Sequence, residues 1–203
     1  KGQEGLKLME QHRVPYLLSG RYFEDVDCDS VVWADYKGGL IAARHLIERG
    51  CRKILCLNGP ESISSARERG RGYRDALEEA GLTPVTRSVP SMSGGVRSAL
   101  DQLRAEGVTY DGIFAFSDLI ALEAACWLTE HGISIPEDVR MAGFDDILSH
   151  ICIPFGLTSV AADKRQETLR AVEMLLSRIE GKQDRPGERL TMDVKLVARS
   201  SSL

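Results

Sequence analysis

Short apolar runs followed by helical stripes recur along this chain of 203 residues. Gly112-Ile113-Phe114-Ala115-Phe116 is apolar without alternation, the pattern of a strand buried on both faces. It stops at Ser117-Asp118, an apolar helix carries on to Gly132, and Met141-Ala142-Gly143-Phe144 closes on Asp145-Asp146. Strand, helix and strand in that order form a parallel crossover unit. The same plan is visible upstream. Residues 53–57 form a strand broken by Asn58-Gly59-Pro60, and the next helix buries Tyr73, Ala76, Leu77 and Ala80, with Ser65 and Glu68 spaced as a capping box. Residues 85–89 give another strand, and Ser93-Gly94-Gly95 leads into a helix carrying Val96, Ala99, Leu100 and Leu103.

The two ends of the chain are less regular. Leu6 and Met9 make a weak helical stripe, residues 14–18 read as a strand with Pro15 near its start, and Val31-Val32-Trp33 as a second one. Gly38-Gly39 opens a helix with Leu40, Ala43, Leu46 and Ile47 on one face. After an irregular segment containing Pro154, residues 157–160 form a strand, and Leu169, Val172, Leu176 and Ile179 form a helical stripe. Leu190, Met192, Val194 and Leu196 alternate with polar residues, which predicts one last strand with a wet face or at a sheet edge. Repeated strand–helix units make this an α/β fold with mostly parallel sheets.

Ligands of open parallel sheets bind beyond the carboxyl ends of the strands. That rule puts Ser117, Asp118, Asp145 and Asp146 on one rim. Adjacent residues leaving a strand diverge, so one of the aspartates at 145 and 146 faces the rim and the other does not. Ser62, Ser65 and Arg69 follow another strand on the same rim, and a guanidinium offers a rigid fork to vicinal hydroxyls or a carboxylate. The helix after Ser117 has a single charge, Glu123, between Leu119 and Leu128. One sheet needs only one apolar stripe, so Leu119, Leu122, Cys126 and Trp127, with Leu148 and Ile151 from the later segment, predict a homodimer seam, the alternative being coverage by a loop of the same chain.

Composition narrows the function. A 43% hydrophobic content supplies packed cores, while a net charge of -4 gives no general attraction to nucleic acid or anionic membrane. Five cysteines, an odd number set mostly in apolar runs, point to a reducing cytoplasm. Cys51 and Cys56 lack CxxC spacing, the four histidines are scattered, and no apolar run approaches the roughly 20 residues of a membrane span. GxSxG, HExxH, GxxxxGK[ST] and GxGxxG are all missing. The expectation is binding rather than turnover, with no catalytic residue, metal or cofactor.

Six stretches in order carry a resemblance: residues 44–50 (RHLIERG) with Lys53-Ile54; Asn58-Gly59-Pro60 with Arg69-Gly70-Arg71-Gly72-Tyr73; residues 114–121 (FAFSDLIA); Pro136-Glu137-Asp138-Val139; Gly143-Phe144-Asp145-Asp146; and Leu157-Thr158-Ser159-Val160. Together they resemble the effector-binding core of LacI/GalR-type bacterial transcription regulators. The resemblance implies a periplasmic-binding-protein-like (type I) fold of two lobes with a small effector, a sugar or related metabolite, bound between them. It implies lobes of residues 1–33 with 161–190 and 34–160 with 191–203, the first lobe incomplete and operator DNA contacted only by a helix-turn-helix outside this chain. Effector contacts then fall on Arg69, Asp145, Ser117, Ser65, Ser62 and Asp35. Ser117 stands where the family usually has Asn, Gly20 where Asp is frequent and Ala161-Ala162 where Arg-Gln is common, which implies a different or smaller effector or a cleft finished by a segment outside this chain. The competing expectations are a periplasmic sugar-binding protein of a transporter and a sugar-processing enzyme.

Overall fold

The structure is a computed structural model that describes residues 3–90, 95–148, 156–181 and 186–203. The chain divides into two compact units, Lys1–Trp33 with Asp163–Asp193 and Ala34–Ala162 with Val194–Leu203. The boundaries fall at Asp163 and Asp193, a few residues beyond those expected from the sequence.

The larger unit holds a six-stranded sheet in the order β4 (Val85–Ser88), β3 (Ile54–Asn58), β5 (Gly112–Ala115), β6 (Arg140–Phe144), β7 (Thr158–Ala162) and β9 (Val194–Val197). Every pairing is parallel except β7 with β9. β3 and β5 are buried along their whole length, as unalternating apolar runs require. Helix α2 (Asp35–Glu48) precedes β3, and α3 (Ser64–Glu79), α4 (Gly95–Ala105) and α5 (Asp118–Glu130) are the crossovers between strands of this sheet. Tyr73 ties α3 to the sheet: its buried hydroxyl donates to the Ile54 carbonyl at 2.6 Å and accepts from the Val85 N–H at 3.0 Å. The capping box does not form. Helix α3 starts at Ser64 with Ile63 at the N-cap, so Ser65 lies buried inside the first turn.

Two glycines let α2 and α3 cross almost backbone to backbone. A Cβ on Gly39 would collide with the Arg69 carbonyl, and one on Gly72 with the Tyr36 carbonyl. The crossing brings the first turn of α2 against the middle of α3, where Arg69 lies.

The smaller unit has a parallel sheet in the order β1 (Leu18–Ser19), β2 (Ser30–Trp33) and β8 (Arg189–Met192), with helices α1 (Glu4–Gln11) and α6 (Lys164–Ile179). The strand expected over residues 14–18 shrinks to two residues. Arg13 turns the chain with φ 54, and Pro15 has no N–H to give a ladder. The single alternating strand expected near the end is two strands in two sheets, broken at Asp193. Ser19 donates to Glu167 at 2.6 Å, and Arg178 forks onto Asp29 at 2.7 and 3.0 Å, which fixes α6. The apolar stripe of α6 is not its buried face: Leu169, Val172, Leu176 and Ile179 are all about half exposed.

Candidate functional site

Three carboxyl ends of the larger sheet deliver the site: Asn58 closes β3, Phe116-Ser117 follows β5, and Asp145 follows β6. Ser117 is committed locally, because it N-caps α5 by accepting the Ile120 N–H at 3.4 Å.

Arg69 is the centre of the cluster. Its Nε donates to Asp35 at 2.7 Å, its Nη1 to the Phe116 carbonyl at 2.6 Å, and its Nη2 lies 3.8 Å from the Asp145 carboxylate. The guanidinium also sits over the Phe144 ring at 3.4 Å and the Phe116 ring at 4.7 Å. It is only 4% exposed, and Asp35 6%. A charge removed this far from water needs partners on every side, and here a carboxylate, a carbonyl and two aromatic faces supply them.

The turn after β6 is shaped around this guanidinium. Asp145 and Asp146 have φ of 99 and 50, a left-handed stretch in two successive side-chain-bearing residues. The two carboxylates diverge. Asp145 faces Arg69 with its side chain 28% exposed, whereas Asp146 pairs with Arg199 at 2.7 Å. Asp118, fully buried at the start of α5, holds the turn by accepting from the Ile147 N–H at 2.8 Å and the Ser159 hydroxyl at 2.6 Å. Burial pushes the Asp118 carboxyl above its usual range against those two hydrogen bonds, and the Asp145 charge adds to the rise. Gly143 makes room for it, since a Cβ there would lie 2.5 Å from an Asp118 oxygen.

Of the six residues expected to contact a ligand, Arg69, Asp35 and Asp145 form one connected cluster, and Ser117 follows Phe116 at its edge. Ser62 is exposed and Ser65 buried, and no hydrogen bond or ion pair among the described residues links either to the cluster. Phe116, Phe144 and Asp118 complete the arrangement and were not singled out as contacts. Two aromatics at strand ends flanking one arginine were the available signal. On the expected dimer face, Leu119 and Cys126 are exposed and Leu122 half-buried. Trp127 and Leu148 correct that expectation, because both are spent in the core of their own chain, Trp127 donating to Asp101 at 2.9 Å. Ile151 lies outside the described residues.

The cluster can present one accessible carboxylate, backed by an oriented guanidinium and aromatic faces, to a polar ligand. It holds no nucleophile with a base.

Comparison with known proteins gives a consistent result. Residues 43–202 match the family described as periplasmic binding protein-like domain. The chain is 32% identical over 204 residues to the HTH-type transcriptional repressor PurR of Vibrio atlanticus (strain LGP32), with 98% of this chain aligned. It spans 60% of that repressor's length. Among solved structures it superposes on a transcriptional regulator CelR–cellobiose complex with a TM-score of 0.91 and 28% identity, covering 99% of this chain and 63% of the other. The lac repressor dimer bound to operator and the anti-inducer ONPF gives a TM-score of 0.84 at 26% identity, covering 99% of this chain and 61% of that one.

Proposed function

Since this chain belongs to the periplasmic-binding-protein-like domain family in the form that LacI-type transcription regulators carry, we propose that it senses a small effector and pairs with a second copy within such a regulator. The effector, a sugar or related metabolite, meets the carboxyl rim of the larger sheet through Asp145, with Ser117 and Ser62 as outer polar contacts. Arg69 and Asp35 act behind Asp145: they hold its carboxylate and the rings of Phe116 and Phe144 in register. The observation that carries this reading is a buried guanidinium joined to a left-handed, partly open aspartate at a strand end. Backbone strain kept at a polar rim is characteristic of ligand sites. Cellobiose in the CelR complex supports a sugar as the first class to try.

Assembly follows the exposed part of α5. Leu119, Cys126 and the half-buried Leu122 offer a seam for a closed two-fold pair, and the lac repressor neighbour was solved as a dimer on its operator. The net charge of -4 leaves operator contact to a helix-turn-helix beyond this chain. Free thiols at Cys28, Cys51, Cys56 and Cys126 suit work in the cytoplasm, and no helix among the described residues is long and apolar enough to cross a membrane.

The test is a thermal-shift screen against cellobiose, ribose, other sugars and free nucleobases. A ligand at 100 times its Kd adds roughly 2.7 kcal/mol to stability, a rise of several degrees. A panel in which nothing raises the melting temperature counts against the reading.

A further inference from the structure

The larger unit carries a second recess at the other end of its sheet. A cavity of about 410 Å3, within the range of small-molecule pockets, lies by the amino-terminal ends of β5 and β6, between the carboxyl-terminal ends of α4 and α5. Val108, Ile133 and the buried indole of Trp127 line it with apolar surface. The exposed ring of His131 stacks on Trp127, with centroids 3.9 Å apart. The site is therefore flat and aromatic on one side.

Helix ends usually leave carbonyl acceptors free. Here most of them are used. On α5, Trp127 and Leu128 carbonyls accept from His131, Leu128 also from Ile133, and Thr129 from Gly132. On α4, Gln102, Leu103 and Arg104 carbonyls accept from Glu106, Val108 and Gly107. Two donors in the recess are unspent. Neither the Arg104 guanidinium nor the half-buried Tyr110 hydroxyl makes a hydrogen bond or ion pair among the described residues. Both groups line the same recess. One carboxylate stands on the wall as well: Asp138, which accepts the Ser134 N–H at 2.8 Å.

We infer that this recess binds a small aromatic carboxylic acid. Its carboxylate is held by Arg104 and the Tyr110 hydroxyl, and its ring lies on His131 and the apolar lining. An amino or hydroxyl group on the ring meets Asp138. A sugar does not suit the place, because its hydroxyls would be pressed against Val108 and Ile133 without partners. The inference stands apart from the effector rim, whose residues it does not share.

Anthranilate and salicylate are the probes. The readouts are calorimetry and the Trp127 indole N–H signal in nuclear magnetic resonance, assigned with Trp33→Phe. Both acids are expected to shift that signal, whereas 2-aminobenzyl alcohol, without the carboxylate, leaves it in place. Arg104→Gln weakens binding about tenfold or more and Tyr110→Phe about threefold to tenfold. Both variants melt with the parent, because neither group holds another part of the chain. An unmoved Trp127 signal at about 10 mM of either acid, or an affinity unchanged by Arg104→Gln, overturns the assignment.

Discussion

Replacing Arg69 by Ala should destabilise the larger unit far more than the loss of a surface arginine would. The substitution leaves the Asp35 carboxylate 6% exposed without its 2.7 Å partner, strips the Phe116 carbonyl of its donor and uncovers two aromatic faces. Removing one member of a buried ion pair costs about 3 to 5 kcal/mol, most of it the penalty of the charge left behind. That origin makes a second forecast. Asp35→Ala in the Arg69→Ala background removes the buried carboxylate that has lost this ion-pair partner, so the double variant should recover at least about 1 kcal/mol relative to the sum of the single losses. Urea unfolding followed by circular dichroism of parent, both single variants and the double gives the four free energies needed. If Arg69→Ala unfolds within about 1 kcal/mol of the parent, or the two losses simply add, Arg69 is not a paired buried charge and the account of the site fails.

Three further outcomes follow from the same contacts. Asp118 has a native pKa above its ordinary value of 3.8, so its contribution is full below that pH and is lost as pH rises through the raised value. Asn cannot titrate there, so the stability advantage of the parent over Asp118→Asn should shrink as pH rises above 3.8, and a gap that widens contradicts it. His45, whose Nε2 lies 2.7 Å from the Ser202 hydroxyl, has its pKa lowered from 6.5 by burial and by Arg49. Its contribution is therefore present above 6.5 and lost as pH falls below it, and thermal melts should show His45→Gln removing part of the parent's loss as pH falls below 6.5. Leu122→Glu places like charges close to the proposed two-fold seam and should shift sedimentation from dimer to monomer with the circular dichroism spectrum unchanged. A variant that still sediments as the parent moves the seam off α5.

The strands of the larger sheet were legible because parallel strands buried on both faces leave unbroken apolar runs, as in Gly112–Ala115 and Ile54–Asn58. The split of the last strand was not. Leu190, Met192, Val194 and Leu196 keep the same parity across Asp193, so the alternation passes unbroken from one sheet to the other. The burial of Arg69 was hidden as well. Within Arg67, Arg69, Arg71 and Arg74 it looks like one solvated cation among several, and only the glycine crossing of α2 and α3 takes it out of water. The apolar excess of α5 was assigned too widely to a seam. Trp127 found Asp101, His131 and its own core, a placement that depends on contacts distant in sequence.

The proposal that an effector meets this chain at Asp145 is tested most directly by calorimetry on Asp145→Ala with the ligand that the thermal-shift panel returns. Asp145 is partly exposed and lies 3.8 Å from Arg69, so its removal should leave the unliganded melting temperature within a few degrees of the parent. Affinity should fall about tenfold to hundredfold, the worth of one charge-assisted hydrogen bond to a ligand hydroxyl. Equal affinity in parent and variant would contradict the account, because the effector would then bind away from this rim.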